Sequence, residues 1–161
     1  MSLAEFAFED VPTVELGNLI FEMVRREGNI IDYRYWSPEL ADEEVDIGQT
    51  CSQEKSDRWT SSLKEHTWLT VNIYNLELST IKIPNCSIGF IRHNATQDVE
   101  VNFRLDEVEH LSTSLWVKEL MAFSDRIAKQ YGIQNFYCGL MPARDEDTRL
   151  FTNRTLGSLK F

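Results

Sequence analysis

The sequence predicts an α+β fold, an antiparallel sheet of about five strands with helices packed mainly on one face. Three observations carry this. Trp116, Leu120, Phe123, Ile127 and Tyr131 recur at steps of three and four, which gathers them on one face of a helix spanning about 112–131. A strand pattern, 133–141, follows directly after Gly132, which suits the left-handed end of that helix. Upstream, three period-two stretches lie close together and read as a meander.

Residues 1–10 hold Phe6 and Phe8 among acidic neighbours and fit a short edge strand or a docked arm. From Pro12 the spacing of Leu16, Leu19, Ile20, Met23 and Val24 predicts a helix over about 12–27, with Pro12 in its first turn and Gly28 at its end. Ile31, Tyr33 and Tyr35 then alternate with Asp32 and Arg34, a strand signal. Residues 37–65 form a polar, acidic insert: Ser37-Pro38-Glu39 reads as a helix start, a short helix reaches about Glu44, and a long loop follows.

The meander strands centre on Leu69–Ile73, Cys86–Phe90 and Val99–Leu105. Turns are expected at Pro84-Asn85 and over Asn94–Asp98. After the helix and strand of the 112–141 stretch comes a charged turn, Ala143–Thr148, then a short arm, Arg149–Thr152, and a tail that fits along the sheet edge. The whole, residues 1–161, reads as one domain.

Charge narrows function more than any motif does. Twenty-six acidic residues against 16 basic give a net charge of −10, which repels phosphate backbones and anionic lipid and attracts a basic protein. Neither nucleic acid nor membrane is therefore expected as a partner, and no stretch approaches the roughly 18 apolar residues of a spanning helix. The start of the chain lacks the pattern of a secretory signal, so a cytoplasmic protein is expected, and the sequons at Asn85, Asn94 and Asn153 read as chance. Cys51, Cys86 and Cys138 have no metal or disulfide spacing and read as reduced, core-filling thiols.

Signatures of catalysis are thin. There is no GxSxG elbow and no glycine-rich phosphate loop, and no cofactor is expected. Glu107-x-x-His110 matches half of a carboxylate metal motif without a second copy, so helix-entry acids are the simpler reading. Asp145, Glu146 and Asp147 are consecutive, unlike the alternating ligands of a calcium loop, and read as a charged turn with local salt bridges to Arg144 and Arg149. His93 makes an acid–base pair with Asp98 or Glu100 if a hairpin joins them, yet no nucleophile stands nearby in sequence.

The insert is the stretch with most to offer a partner. Trp36 and Trp59 supply aromatic anchors inside the acidic rim of Asp42, Glu43, Glu44 and Asp46, and Asp145, Glu146 and Asp147 add a second acidic patch. The alternative is that both tryptophans fill core edges and the acids keep the insert soluble. The functional reading is a small acidic protein-binding module, for instance an immunity-type inhibitor of a basic toxin or nuclease. Its rivals are a dimeric chaperone or adaptor and a small enzyme with a scattered site.

Overall fold

Strand β1, Leu3–Pro12, lies at the middle of the molecule rather than at an edge, paired antiparallel on both sides. The computed structural model describes residues 2–24, 30–35, 44–49, 68–78, 80–108 and 112–159. After β1 come helix α1 (Thr13–Val24), strands β2 (Ile30–Tyr35), β3 (Glu44–Gln49), β4 (Trp68–Leu78), β5 (Ile81–His93) and β6 (Thr96–Arg104), and helix α2 (Thr113–Tyr131). Strands β7 (Asn135–Leu140), β8 (Arg149–Thr152) and β9 (Thr155–Leu156) complete the chain. Among the described residues these make one nine-stranded sheet in the order β3-β2-β4-β5-β6-β1-β7-β8-β9.

The α+β class and the antiparallel sheet stand, but the strand count exceeds the expected five. Two of the additional strands were hidden by composition. In β1, Ala4, Phe6, Ala7 and Phe8 are at most 1% exposed, so both sides of the strand are covered and its acids do not mark solvent. In β3, Val45 and Ile47 do alternate with Asp46 and Gly48, but the acids around them outweigh a stretch of six residues, and the sequence reads it as helix end and loop.

The meander of β4, β5 and β6 forms as expected, with its second turn at Asn94, which takes φ 53°. The turn expected at Pro84-Asn85 does not form: β5 runs straight through it. Pairing of β5 with β6 begins only at Cys86, so Pro84 lies where β5 has one neighbour and its missing N–H breaks no ladder. Across from it, Asn75 adopts φ 55°, and the β4–β5 register skips this position.

Helix α2 buries the predicted face: Trp116, Leu120, Phe123, Ile127 and Tyr131 are each at most 8% exposed. Gly132 ends it at φ 69°, its N–H bonded to the Ala128 carbonyl, and the buried Ile133 packs beyond. Helix α1 begins at Thr13 because Pro12 still belongs to β1, and it buries Leu16, Leu19, Ile20, Met23 and Val24. Residues of both helices share one hydrophobic cluster with Phe6, Phe8, Val101, Phe136 and Phe151 of the sheet. Within it Phe6 meets Phe8 at 6.0 Å edge-on, and Phe103 meets Trp116 of α2 at 6.2 Å, geometries that add about 1 kcal/mol each to simple burial.

Cys86 and Cys138 are free and buried in this cluster, and burial pushes the Cys86 thiol up to about 12, so neither is a ready nucleophile. The tail does lie at the edge, where β9 pairs with β8.

Candidate partner-binding surface

Alternation along β1 decides which side chains meet on each face of the sheet. Ala4, Phe6 and Phe8 enter the main cluster, while Ala7 joins a separate small cluster with Tyr137 and Ala143. Glu5 therefore stands on the Ala7 side. Its register partner on β6 is Asn102, and Ala7 faces Glu100, so Glu5 and Glu100 are diagonal neighbours on one face.

Around them the face is strongly acidic. Asp98, 6% exposed, anchors one end: its Oδ1 accepts the Asp10 backbone N–H at 3.0 Å, where β1 bulges and Asp10 takes φ 53°. Its Oδ2 lies 2.9 Å from His93 Nε2 and accepts from the Arg144 guanidinium at 3.1 Å. The expected His93–Asp98 pair thus forms, across the β5–β6 hairpin, but its carboxylate is engaged by a bulge and an arginine. It is a structural clamp without a nucleophile among its partners.

Arg144 spreads over the face, 3.6 Å from Glu100 and 3.1 Å from the Tyr137 hydroxyl, to which its Nε donates. Arg149 lies over the Tyr137 ring, 5.3 Å from its centroid, and donates to the Ala143 and Arg144 carbonyls. One guanidinium is thereby shared among several carboxylates. Burial and then the nearby Glu100 hold the Glu5 carboxyl above its ordinary value, with Arg144 opposing. Glu100 is raised first by burial, with Arg144 lowering it and Asp98 raising it.

Beside this centre is an open depression of about 700 Å³, bordered by Leu3, Tyr74, Ser87, Asn102, Arg104 and Met141. Leu3, Tyr74 and Met141 are among the exposed large apolar residues, at 49%, 38% and 51%. Arg104 adds little positive charge here, since Asp106 at 2.8 Å and Glu107 at 3.2 Å already pair with it. Glu107 also accepts from Asn85 at 3.2 Å, whereas His110 lies outside the described residues. Among the described residues no group of three or more His, Cys, Asp or Glu is placed to hold a metal ion. Nor is any helix among them long and apolar enough to cross a membrane.

Of the residues that sequence singles out for a partner, Trp36, Asp42, Glu43 and Trp59 lie outside the described residues. Glu44 and Asp46 belong to β3, the strand at one end of the sheet. Asp145, Glu146 and Asp147 are exposed in the turn between β7 and β8, and among the described residues they form no ion pair. The expected local salt bridges are absent there because Arg144 and Arg149 turn back onto the sheet face. From β3 to β7 is six strand steps, roughly 29 Å at the usual spacing before twist, so the two acidic patches do not adjoin.

Glu5, Arg144 and Asn102 were not singled out for a partner from sequence, because nothing local marks them. The one available signal was in β1, where Glu5 and Glu9 occupy the positions alternate to Phe6 and Phe8.

A family model described as the PABL017 Cdi1I immunity protein matches residues 2–156. The chain is also similar, at 23% identity and a TM-score of 0.73 over 99% of both chains, to a chain of a crystal structure at 1.75 Å. That structure is of the toxic C-terminal tip of CdiA from Pseudomonas aeruginosa in complex with immune protein, and at this identity the likeness speaks for the fold. No curated protein matches the sequence.

Proposed function

We propose that this chain, which belongs to the PABL017 Cdi1I immunity protein family, neutralises a basic toxin domain by stoichiometric contact in the cytoplasm. It is an immunity-type inhibitor, and the finer reading concerns its partner and the way it blocks it. The observation that carries the reading is the family match over 2–156 joined to a net charge of −10. A surplus of that size speeds encounter with a cationic protein and disfavours like-charged ones. If the toxin is a nuclease, carboxylates held over its substrate groove stand where phosphates would lie.

The proposed contacts are the insert, through Trp36, Asp42, Glu43, Glu44, Asp46 and Trp59, and the turn of Asp145, Glu146 and Asp147. The proposal takes the chain as one domain whose helices pack on one face of the sheet, leaving the other face to the partner.

The test is direct. Purified chain mixed with a CdiA-type toxic tip encoded beside it should elute as a stoichiometric complex, abolish the tip's activity, and bind more weakly as salt rises from 50 to 500 mM. Absence of a complex at micromolar concentrations overturns the reading. Replacing Glu43, Glu44 and Asp46 together with Ser should leave thermal stability nearly unchanged and weaken capture at low salt. Unchanged capture removes the insert from the contact.

A further inference from the structure

We infer that the toxin docks on the sheet face that carries Glu5 and Glu100, and that an arginine side chain of the toxin enters between these two carboxylates. This rests on the immunity reading and deepens it by naming where the partner binds and which side chain it must supply.

A buried carboxyl and an unmatched amide oxygen beside it point to the occupant. Glu5 is only 5% exposed, and burial and the nearby Glu100 both weigh against its charge while Arg144 only partly offsets them. Its register partner Asn102 has a buried Oδ1 without a hydrogen-bond partner among the described residues. Native structures seldom leave a buried acceptor unmatched, and here the Asn102 amide oxygen is one, in register with the Glu5 carboxyl. A guanidinium brings five N–H donors in a planar fork, which suits one carboxylate in bidentate fashion and a neighbouring acceptor besides.

Charge argues the same way. Glu9, Asp98 and Glu100 add to Glu5, and among the described residues the cations here are already engaged: Arg144 and His93 by Asp98, Arg104 by Asp106 and Glu107, and Arg149 by the Tyr137 ring and two carbonyls. The remaining negative charge is complementary to a cationic side chain. Next to it, exposed Leu3, Tyr74 and Met141 offer an apolar contact around the charged centre.

Reach fits as well. A standard interface of about 800 Å² per partner is roughly 28 Å across, close to the span between β3 and the 145–147 turn. A toxin touching both acidic patches therefore crosses the strands between them, β6 with Glu100 and β1 with Glu5 included.

The experiment compares the wild-type chain with Glu5→Gln plus Glu100→Gln, and with Glu44→Gln plus Asp46→Gln, in titrations against the purified toxic tip at 50 mM salt. The first pair should weaken binding about 100-fold, chiefly through faster dissociation, because it strips charge from a desolvated contact. The second pair, at the sheet end, should weaken it less than 5-fold. Glu100→Lys supplies a second readout: its binding should be restored by reversing one arginine of the tip to Glu, identified by scanning the tip's arginines singly. Wild-type binding with an unchanged Glu5/Glu100 variant overturns this inference and leaves the immunity reading intact. Loss of all wild-type binding overturns that reading itself. A chain that dimerises through this face, its dimer dissociated by the same Gln substitutions, also overturns the inference.

Discussion

The two sides of β1 solve opposite problems with alternate residues of one strand. On one side Ala4, Phe6 and Phe8 vanish into a cluster shared with both helices. On the other, Glu5 and Glu9 stand near Asp98, Glu100 and a shared Arg144. The first arrangement gains free energy from each buried ring. The second gives some back, because burial and like charge both disfavour ionised Glu5 and Glu100. A chain whose task is to bind can keep such a face only if the other side holds the fold together. The packed side and the acidic side are separated by a single residue step.

That contrast is open to attack, beginning with its strongest element. Phe6→Ala should cost about 4 kcal/mol in urea unfolding, since Phe6 is fully buried and its ring meets Phe8 and Phe103. A loss below about 2 kcal/mol would mean that the cluster is loosely packed around β1. Phe123→Ala on α2 should follow at about 3 kcal/mol; a loss below about 1 kcal/mol would show that the helix presents another face.

Asp98→Ala tests whether the acidic side has a structural anchor of its own. Losing a buried carboxylate that holds the Asp10 amide, His93 and Arg144 should cost about 2 to 3 kcal/mol and speed hydrogen exchange at Asp10. Exchange as slow as in the wild type would separate Asp98 from the bulge.

Glu100→Gln should have the smallest effect and the opposite sign, raising Tm at pH 7 by about 2 °C. The folded chain holds Glu100 above 4.5, so between about that pH and the raised value it binds more protons than the unfolded chain, and stability falls as pH rises through that window. The contribution is whole below pH 4.5 and lost above the raised value. The Tm difference between variant and wild type should therefore grow from pH 4 to pH 8; a constant difference would show that Glu100 is not destabilised by burial.

Much of the fold was legible where one side of an element is buried and the other is not. The stripe on α2, Gly132 at its end and the alternation in β6 are local patterns, and each element formed where the pattern lay. Legibility failed where that asymmetry is missing or short. β1 is covered on both sides, so its glutamates suggested an edge; β3 is six residues long among acids; Pro84 is tolerated in β5 only because β6 has not yet joined it. The acidic centre was less legible still: the His93–Asp98 pairing was open to guesswork, but no local pattern places Glu5 of β1, Glu100 of β6 and Arg144 of the β7–β8 turn on one face.

By itself the sequence determined the charge, the α+β class, the long helix with its buried stripe and the absence of familiar catalytic motifs, because all of these are properties of composition or of spacing within one element. Only the tertiary structure decided that β1 is central and that its odd-numbered side gathers Glu5, Asp98, Glu100 and Arg144. Strand order is set by which apolar faces can be buried together across the whole chain, and the neighbours of a carboxylate follow from that order and not from its place in the sequence.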